Sequence, residues 1–229
     1  MPISIYALSV NIGPTDSPAG ITDSLQLLFI FSIIALAPFL LLMLTSFTRI
    51  IISLHFLRAA LGTQQMPPNQ VLIGLALFLT LFIMGPVFTE INERAMQPYS
   101  AGFIGQEEAM DTAMAPLRQF MIQNAETRDI ALFVRLAGIE PQSYDDIPNR
   151  VIIPAFMLGE LAKGFRIGFV LYIPFIVIDM VVASVLMAMG MMMLPPAMIS
   201  LPFKLMFFVL ADGWNLIIQG LISGFMRRM

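Results

Sequence analysis

Apolar residues fall in long unbroken runs along this chain, and polar positions are confined to the gaps between them. The first run is uncharged for 25 residues between Asp23 and Arg49, beyond the roughly 20 that span a hydrocarbon core at about 1.5 Å per residue. Pro38 inside it predicts a kink. Residues 48–61 (TRIIISLHFLRAAL) scatter Arg49, Ser53, His55 and Arg58 among Ile, Leu and Phe, which suits a helix lying against protein or a membrane surface, stopped by Gly62 and Pro67-Pro68. Residues 71–89 form a second uncharged run, with Gly74 and Gly85 as points of close approach and Pro86 near its end. A third run covers 167–189, broken only by Pro174 and Asp179; a fourth covers 197–225 and carries Lys204, Asp212 and Gly220/Gly224 at GxxxG spacing. The turn GMMMLPP, 190–196, joins the last two. Four hydrophobic helical segments are thereby predicted, in one hairpin over 23–91 and another over 151–229.

The polar remainder has its own pattern. Residues 1–22 hold no Lys or Arg but several Gly and Pro, so they read as an extended leader lacking the charged start of a signal peptide, the kind of end a processed precursor leaves. Between Glu90 and Arg150 lie ten acidic residues and five arginines with frequent breakers, which predicts a soluble helical insert over 92–150. Within it Met110, Met114, Leu117 and Met121, then Ile130, Phe133, Val134 and Ala137 before Gly138, recur at helical spacing and predict two short amphipathic helices.

Composition agrees with a membrane protein and removes other classes. Hydrophobic residues make up 58% of the 229 and charged ones 12%, with mean hydropathy +0.85, which leaves too little polar surface for a soluble fold. With no cysteine and one histidine, thiolate zinc, iron–sulfur and multi-His metal sites have no ligands, so no cofactor is expected. The net charge of −3 and the absence of a basic cluster argue against nucleic acid. No GxxxxGK[ST] or GxGxxG loop is present, so any energy for transport comes from outside the chain. The positive-inside rule sets Arg49 and Arg58 in a cytoplasmic loop and the acidic insert outside, yet puts Arg227 and Arg228 on the wrong side. The last two segments therefore either cross the bilayer or form a hairpin packed on other helices.

Few residues could carry chemistry. Asp179 and Lys204 are ionisable groups inside apolar helices and need partners. In a hairpin they lie about 16 and 12 Å from the turn, near one depth, so they form either a proton relay or an inter-helix or inter-subunit ion pair. Glu160, Lys163 and Arg166 share a face at three-residue spacing near the start of the third segment, a pattern of i,i+3 pairing. His55 is either a proton shuttle or a hydrogen-bonded interfacial side chain, and no nucleophile, base and orienter assemble around it, so no enzyme is predicted. Methionine is the most unusual feature: 19 in all, with Met187, Met189, Met191, Met192, Met193 and Met198 around one Gly/Pro turn. Such adaptable, polarizable side chains either fill a core or, in several copies, close a seal around a passing chain.

The runs TSFTRIII (45–52), LRAALGTQQMPPNQVLIGLALFLTLFIMGP (57–86), PAFMLGELAKGFRIGF (154–169) and DMVVASVLMAMGMMMLPPAMISLPFKLMFFVLADGW (179–214) resemble the FliP family of flagellar type III secretion export-gate subunits, whose injectisome relatives form the SctR branch. The resemblance covers residues 23–220, and departs at Gly159, where the family commonly has a small hydroxyl residue. It implies five copies which, with FliQ-like and FliR-like subunits, build a closed helical channel beside FlhB-like and FlhA-like proteins. It further implies an inner-membrane and basal-body location with the hairpins raised toward the periplasm, and unfolded export substrates as clients. The family's methionine loop maps onto Met191, Met192 and Met193, and its intersubunit ion pair onto Asp179 and Lys204. The expectation is an all-α membrane protein of two hairpins and a periplasmic insert, forming the flagellar export pore. A virulence-type export gate and a proton-linked transporter using Asp179 are the alternatives.

Overall fold

The computed structural model describes residues 28, 31–32, 35–36, 42–63, 65–191 and 193–226. The leader, Pro38, most of the first apolar run, Met192 and Arg227-Arg228 lie outside the described residues. Met1–Leu41 form a unit of their own; in it Leu28, Phe31, Ser32, Ala35 and Leu36 are helical and exposed, with Ser32 Oγ donating to the Leu28 carbonyl at 2.7 Å.

The second unit, Leu42–Met229, is all-helical among its described residues. Helix α1, Phe47–Leu61, buries Ile50, Leu54, Leu57 and Leu61 along a three- and four-residue stripe, and ends where Gly62 takes φ 76° and donates to the Ala59 carbonyl. It lies against protein. Helix α2, Asn69–Ile91, is apolar all round but buries only the face of Leu72, Ala76, Leu79, Thr80, Ile83, Met84 and Val87, leaving Ile73, Phe78, Leu81 and Phe82 exposed. A helix of that kind needs an apolar surrounding. A single π turn, Asn92–Met96, carries it into α3, Gln97–Ser100, so the helix runs nine residues past the expected end of the first hairpin.

Helices α4, Gln106–Asn124, and α5, Thr127–Ala137, form the insert. The α4 face that is buried is Ala109, Pro116, Phe120, Met121 and Asn124, while Met110 is exposed. Of the predicted stripe, Met121 is buried, Leu117 packs against the core and Met114 is half-buried, so only Met110 turns away; Phe120, packed on Phe156 and Phe225, sets the helix's rotation. In α5 Ile130 is buried, Phe133 and Val134 are partly buried and Ala137 is exposed, and Gly138 stops the helix at φ 64°.

Helix α6, Asn149–Ala188, is 40 residues long and begins well before the third apolar run. At about 1.5 Å per residue it reaches some 60 Å, twice a hydrocarbon core. Its N-terminal half lies against α1, where a Cβ on Gly168 would meet Phe56 at 2.3 Å and one on Gly164 would meet Ile52 at 3.0 Å. The close-approach GxxxG is thus Gly164/Gly168. Gly220, Gly74 and Gly85 have nothing within 4 Å of such an atom among the described residues.

The fourth run is not one helix. It breaks into α7, Pro196–Leu210, and α8, Gly213–Met226, bent by 63° at Asp212, which sits at φ 48°. Asp is one of the few residues with a side chain that tolerates this region, and Gly213 beside it packs onto Phe208. Among the described residues Asn69–Ser100 and Asn149–Ala188 are long and apolar enough to cross a membrane, with the bent α7–α8 pair a third candidate.

Candidate functional site

The α6–α7 turn is closed by backbone geometry. Gly190 takes φ 75°, the Gly190 N–H reaches the Met187 carbonyl and the Met191 N–H reaches the Leu186 carbonyl, both at 3.0 Å, a Schellman closure that only glycine enters without strain. Pro196 then starts α7 at the one helical position where its missing N–H is harmless. Between them Met193 is 98% exposed, and Met187, Met189, Met191 and Met198 are exposed as well. The methionines therefore fill no core within the chain; the turn holds them outward at one end of the hairpin.

Two to four turns below that tip, Lys204 Nζ lies 2.6 Å from Asp179 Oδ2, within one chain. The other carboxylate oxygen, Oδ1, accepts from the Ser200 hydroxyl. Lys204 also donates to the Ala60 carbonyl at 3.2 Å. Both ions are matched, and Lys204 is buried.

A second cluster lies where α1, α6 and the α4–α5 corner meet. Arg49 and Glu160 form a two-pronged pair, Nε to Oε2 at 2.8 Å and Nη2 to Oε1 closer still, both side chains buried. The guanidinium also lies 3.6 Å from the centre of the Phe225 ring, a cation–π contact from α8. Lys163 donates to Glu160 Oε1 at 3.3 Å and to the Asn124 carbonyl, and lies 3.8 Å from Glu126. Of the expected Glu160–Lys163–Arg166 face, the first two do meet, but Arg166 is exposed and the principal partner of Glu160 is Arg49, 111 positions away. Arg49 is consequently no loop charge for the positive-inside rule to count. Beside this cluster the buried Asp129 Oδ2 has no hydrogen-bond partner among the described residues, and a Cβ on Gly159 would lie 3.3 Å from it.

His55 Nδ1 lies 3.1 Å from Arg58 Nη2. Arginine can only donate, so Nδ1 accepts and the ring proton sits on Nε2. Burial, then the Arg58 charge, hold the imidazole pKa below its usual value. Arg58 also binds Asn69 Oδ1 at 2.6 Å and the Pro67 carbonyl at 3.2 Å, tying α1 to the start of α2. Sequence reasoning had no signal for the Arg49–Glu160 or Lys204–Ala60 contacts, which join residues more than a hundred positions apart.

Long apolar helices with matched internal charges and an outward methionine turn define an all-α, membrane-associated protein. Comparison with known proteins narrows this: the family model described as FliP family matches residues 30–221. The flagellar biosynthetic protein FliP of Bacillus subtilis (strain 168) is 50% identical over 217 residues, 94% of this chain and 98% of that one. The proteins of the same name from Caulobacter vibrioides and Aquifex aeolicus are 49% and 46% identical, covering 96% and 94% of this chain and 83% and 92% of theirs. The chain belongs to the FliP family.

Proposed function

We propose that this chain is the pore-forming core subunit of a flagellar type III export gate, passing unfolded flagellar proteins across the inner membrane. The observation that carries the reading is the outward set of methionines on a turn closed by Gly190 and Pro195-Pro196. Large apolar side chains held in the open on a rigid turn call for a covering surface, and several copies facing one axis cover each other or a client chain. Unbranched thioethers adapt to many client sequences, which suits a seal better than a selective site. Met191, Met192 and Met193 form that seal in this reading, and a closed seal spares the proton gradient.

The assembly is five copies with FliQ-like, FliR-like, FlhB-like and FlhA-like partners in the basal body. In it residues 1–22 are a leader, 23–91 and 151–229 the hairpins and 92–150 the periplasmic insert; Asp179–Lys204 and the cluster of Glu160 and Lys163 act as structural ion pairs. The shared name of the flagellar relatives favours a flagellar over a virulence-type gate. A transporter using Asp179 is disfavoured because both its carboxylate oxygens accept hydrogen bonds, from Ser200 and Lys204, leaving no free acid.

The test is the native mass of the complex co-purified from a host expressing the chain with its neighbouring export genes. Five copies with smaller membrane partners supports the gate. A monomer or dimer that conducts ions alone, and stops on Asp179→Asn, restores the transporter.

A further inference from the structure

Pairing with Asp179 does not account for all that Lys204 touches. Its ammonium also meets the Ala60 carbonyl, in the last turn of α1. Carbonyls of a last turn have no donor within their helix and carry the negative end of its dipole. The Gly62 N–H covers the Ala59 carbonyl at 3.1 Å, and the Lys204 ammonium covers the next one. The turn itself packs on the ammonium, since a Cβ on Gly62 would lie 3.8 Å from Nζ. Lys204 is 5% exposed, so water does not compete freely for either contact.

We infer that Lys204 is a positioning residue that caps the C-terminus of α1 from another hairpin. One ammonium thereby joins α1, α6 and α7. It stands 8 residues beyond Pro196, about 12 Å along α7, so the methionine turn is registered against the end of the first helix. A displacement of α7 that carries the turn with it has to break the contact with Ala60. Only the consequence for the turn rests on the gate reading; the joint itself rests on the three helices.

The joint is tested by amide hydrogen exchange of the full chain in its purified assembly, comparing Lys204→Met, Asp179→Asn and the double variant Asp179→Leu/Lys204→Met. A hydrogen bond to a charged group is worth enough that losing the cap speeds exchange in the last turn of α1 on the order of tenfold or more. That acceleration is expected in Lys204→Met and also in the double variant, which leaves no unpaired ion and so guards against a single variant that fails to fold. Asp179→Asn keeps the ammonium on Ala60, so exchange in that turn rises no more than it does along the rest of α1. The inference is overturned if Asp179→Asn opens the turn as far as Lys204→Met does, or if the double variant regains parental protection. Ion leakage through the assembly, measured alongside, reports on the gate reading: altered exchange without altered leakage leaves the joint standing and detaches it from the seal.

Discussion

Asp179 and Lys204 stand 25 positions apart and meet at 2.6 Å, with Ser200 on the second carboxylate oxygen and Ala60 on the ammonium. Removing either ion strands the other in an apolar helix. Asp179→Ala or Lys204→Ala is expected to cost about 2 kcal/mol, below the figure for a fully buried pair because the Asp179 side chain is 36% exposed. Exchanging the two residues is expected to recover only part of this, since a carboxylate at 204 faces the negative end of α1. Denaturation of the purified variants measures it; no recovery in the exchanged protein breaks the pairing.

Gly168 is expected to be the least replaceable glycine on α6. Gly168→Ala puts a methyl into the Phe56 ring and forces α1 away, at about 1–3 kcal/mol. Gly164→Ala is milder, and Gly220→Ala, with open space around it among the described residues, is neutral or slightly stabilising. Thermal midpoints of the three variants in detergent give the order; a harmless Gly168→Ala contradicts the α1–α6 packing.

At Gly159 serine is expected to do better than alanine. A Cβ there stands 3.3 Å from Asp129 Oδ2, so the carboxylate has to give slightly, and a serine hydroxyl on that Cβ can donate to this oxygen, which has no partner among the described residues, for about 1 kcal/mol over alanine. Gly159→Ala supplies the same Cβ without the donor, so it falls below the serine variant by the worth of that hydrogen bond. Equal midpoints for the serine and alanine variants show that the carboxylate has no need of that donor.

His55 gives the fold a pH dependence of known sign. Its pKa is lowered by burial and by Arg58, so the neutral ring is the one the fold favours, and the Arg58 contact needs an accepting Nδ1. The contribution is fully present above the unfolded imidazole value, about 6.5, and is lost as pH falls through the lower folded value. His55→Gln is expected to flatten the dependence of unfolding on pH below about 6.5. An unchanged slope shows that another group sets it.

The helices were legible in the sequence because uncharged runs and Gly or Pro stops are local signals. Asn69–Ile91 and the closures at Gly62, Gly138 and Gly190 lie where pattern places them. Rotation and partnership were not legible. Which face of α4 is buried depends on where Phe156 and Phe225 stand, and which glycine pair is a contact depends on Phe56 and Ile52 lying opposite. Glu160 was readable as paired from its three-residue spacing, and Lys163 is indeed a partner, but spacing also offered Arg166 and could not show Arg49, which the fold supplies. The break at Asp212 carried a sequence cue, an acid before glycine in an apolar run, that hydropathy alone passes over.

The seal is the central claim, and its most direct test is small-ion flux across membranes containing the assembled apparatus with Met191, Met192 and Met193 replaced by alanine. Shorter side chains on an unchanged turn leave the copies unable to meet at the axis. The expected result is a complex of parental mass through which ions leak. Parental mass with parental flux contradicts the seal, and places the barrier elsewhere in the assembly.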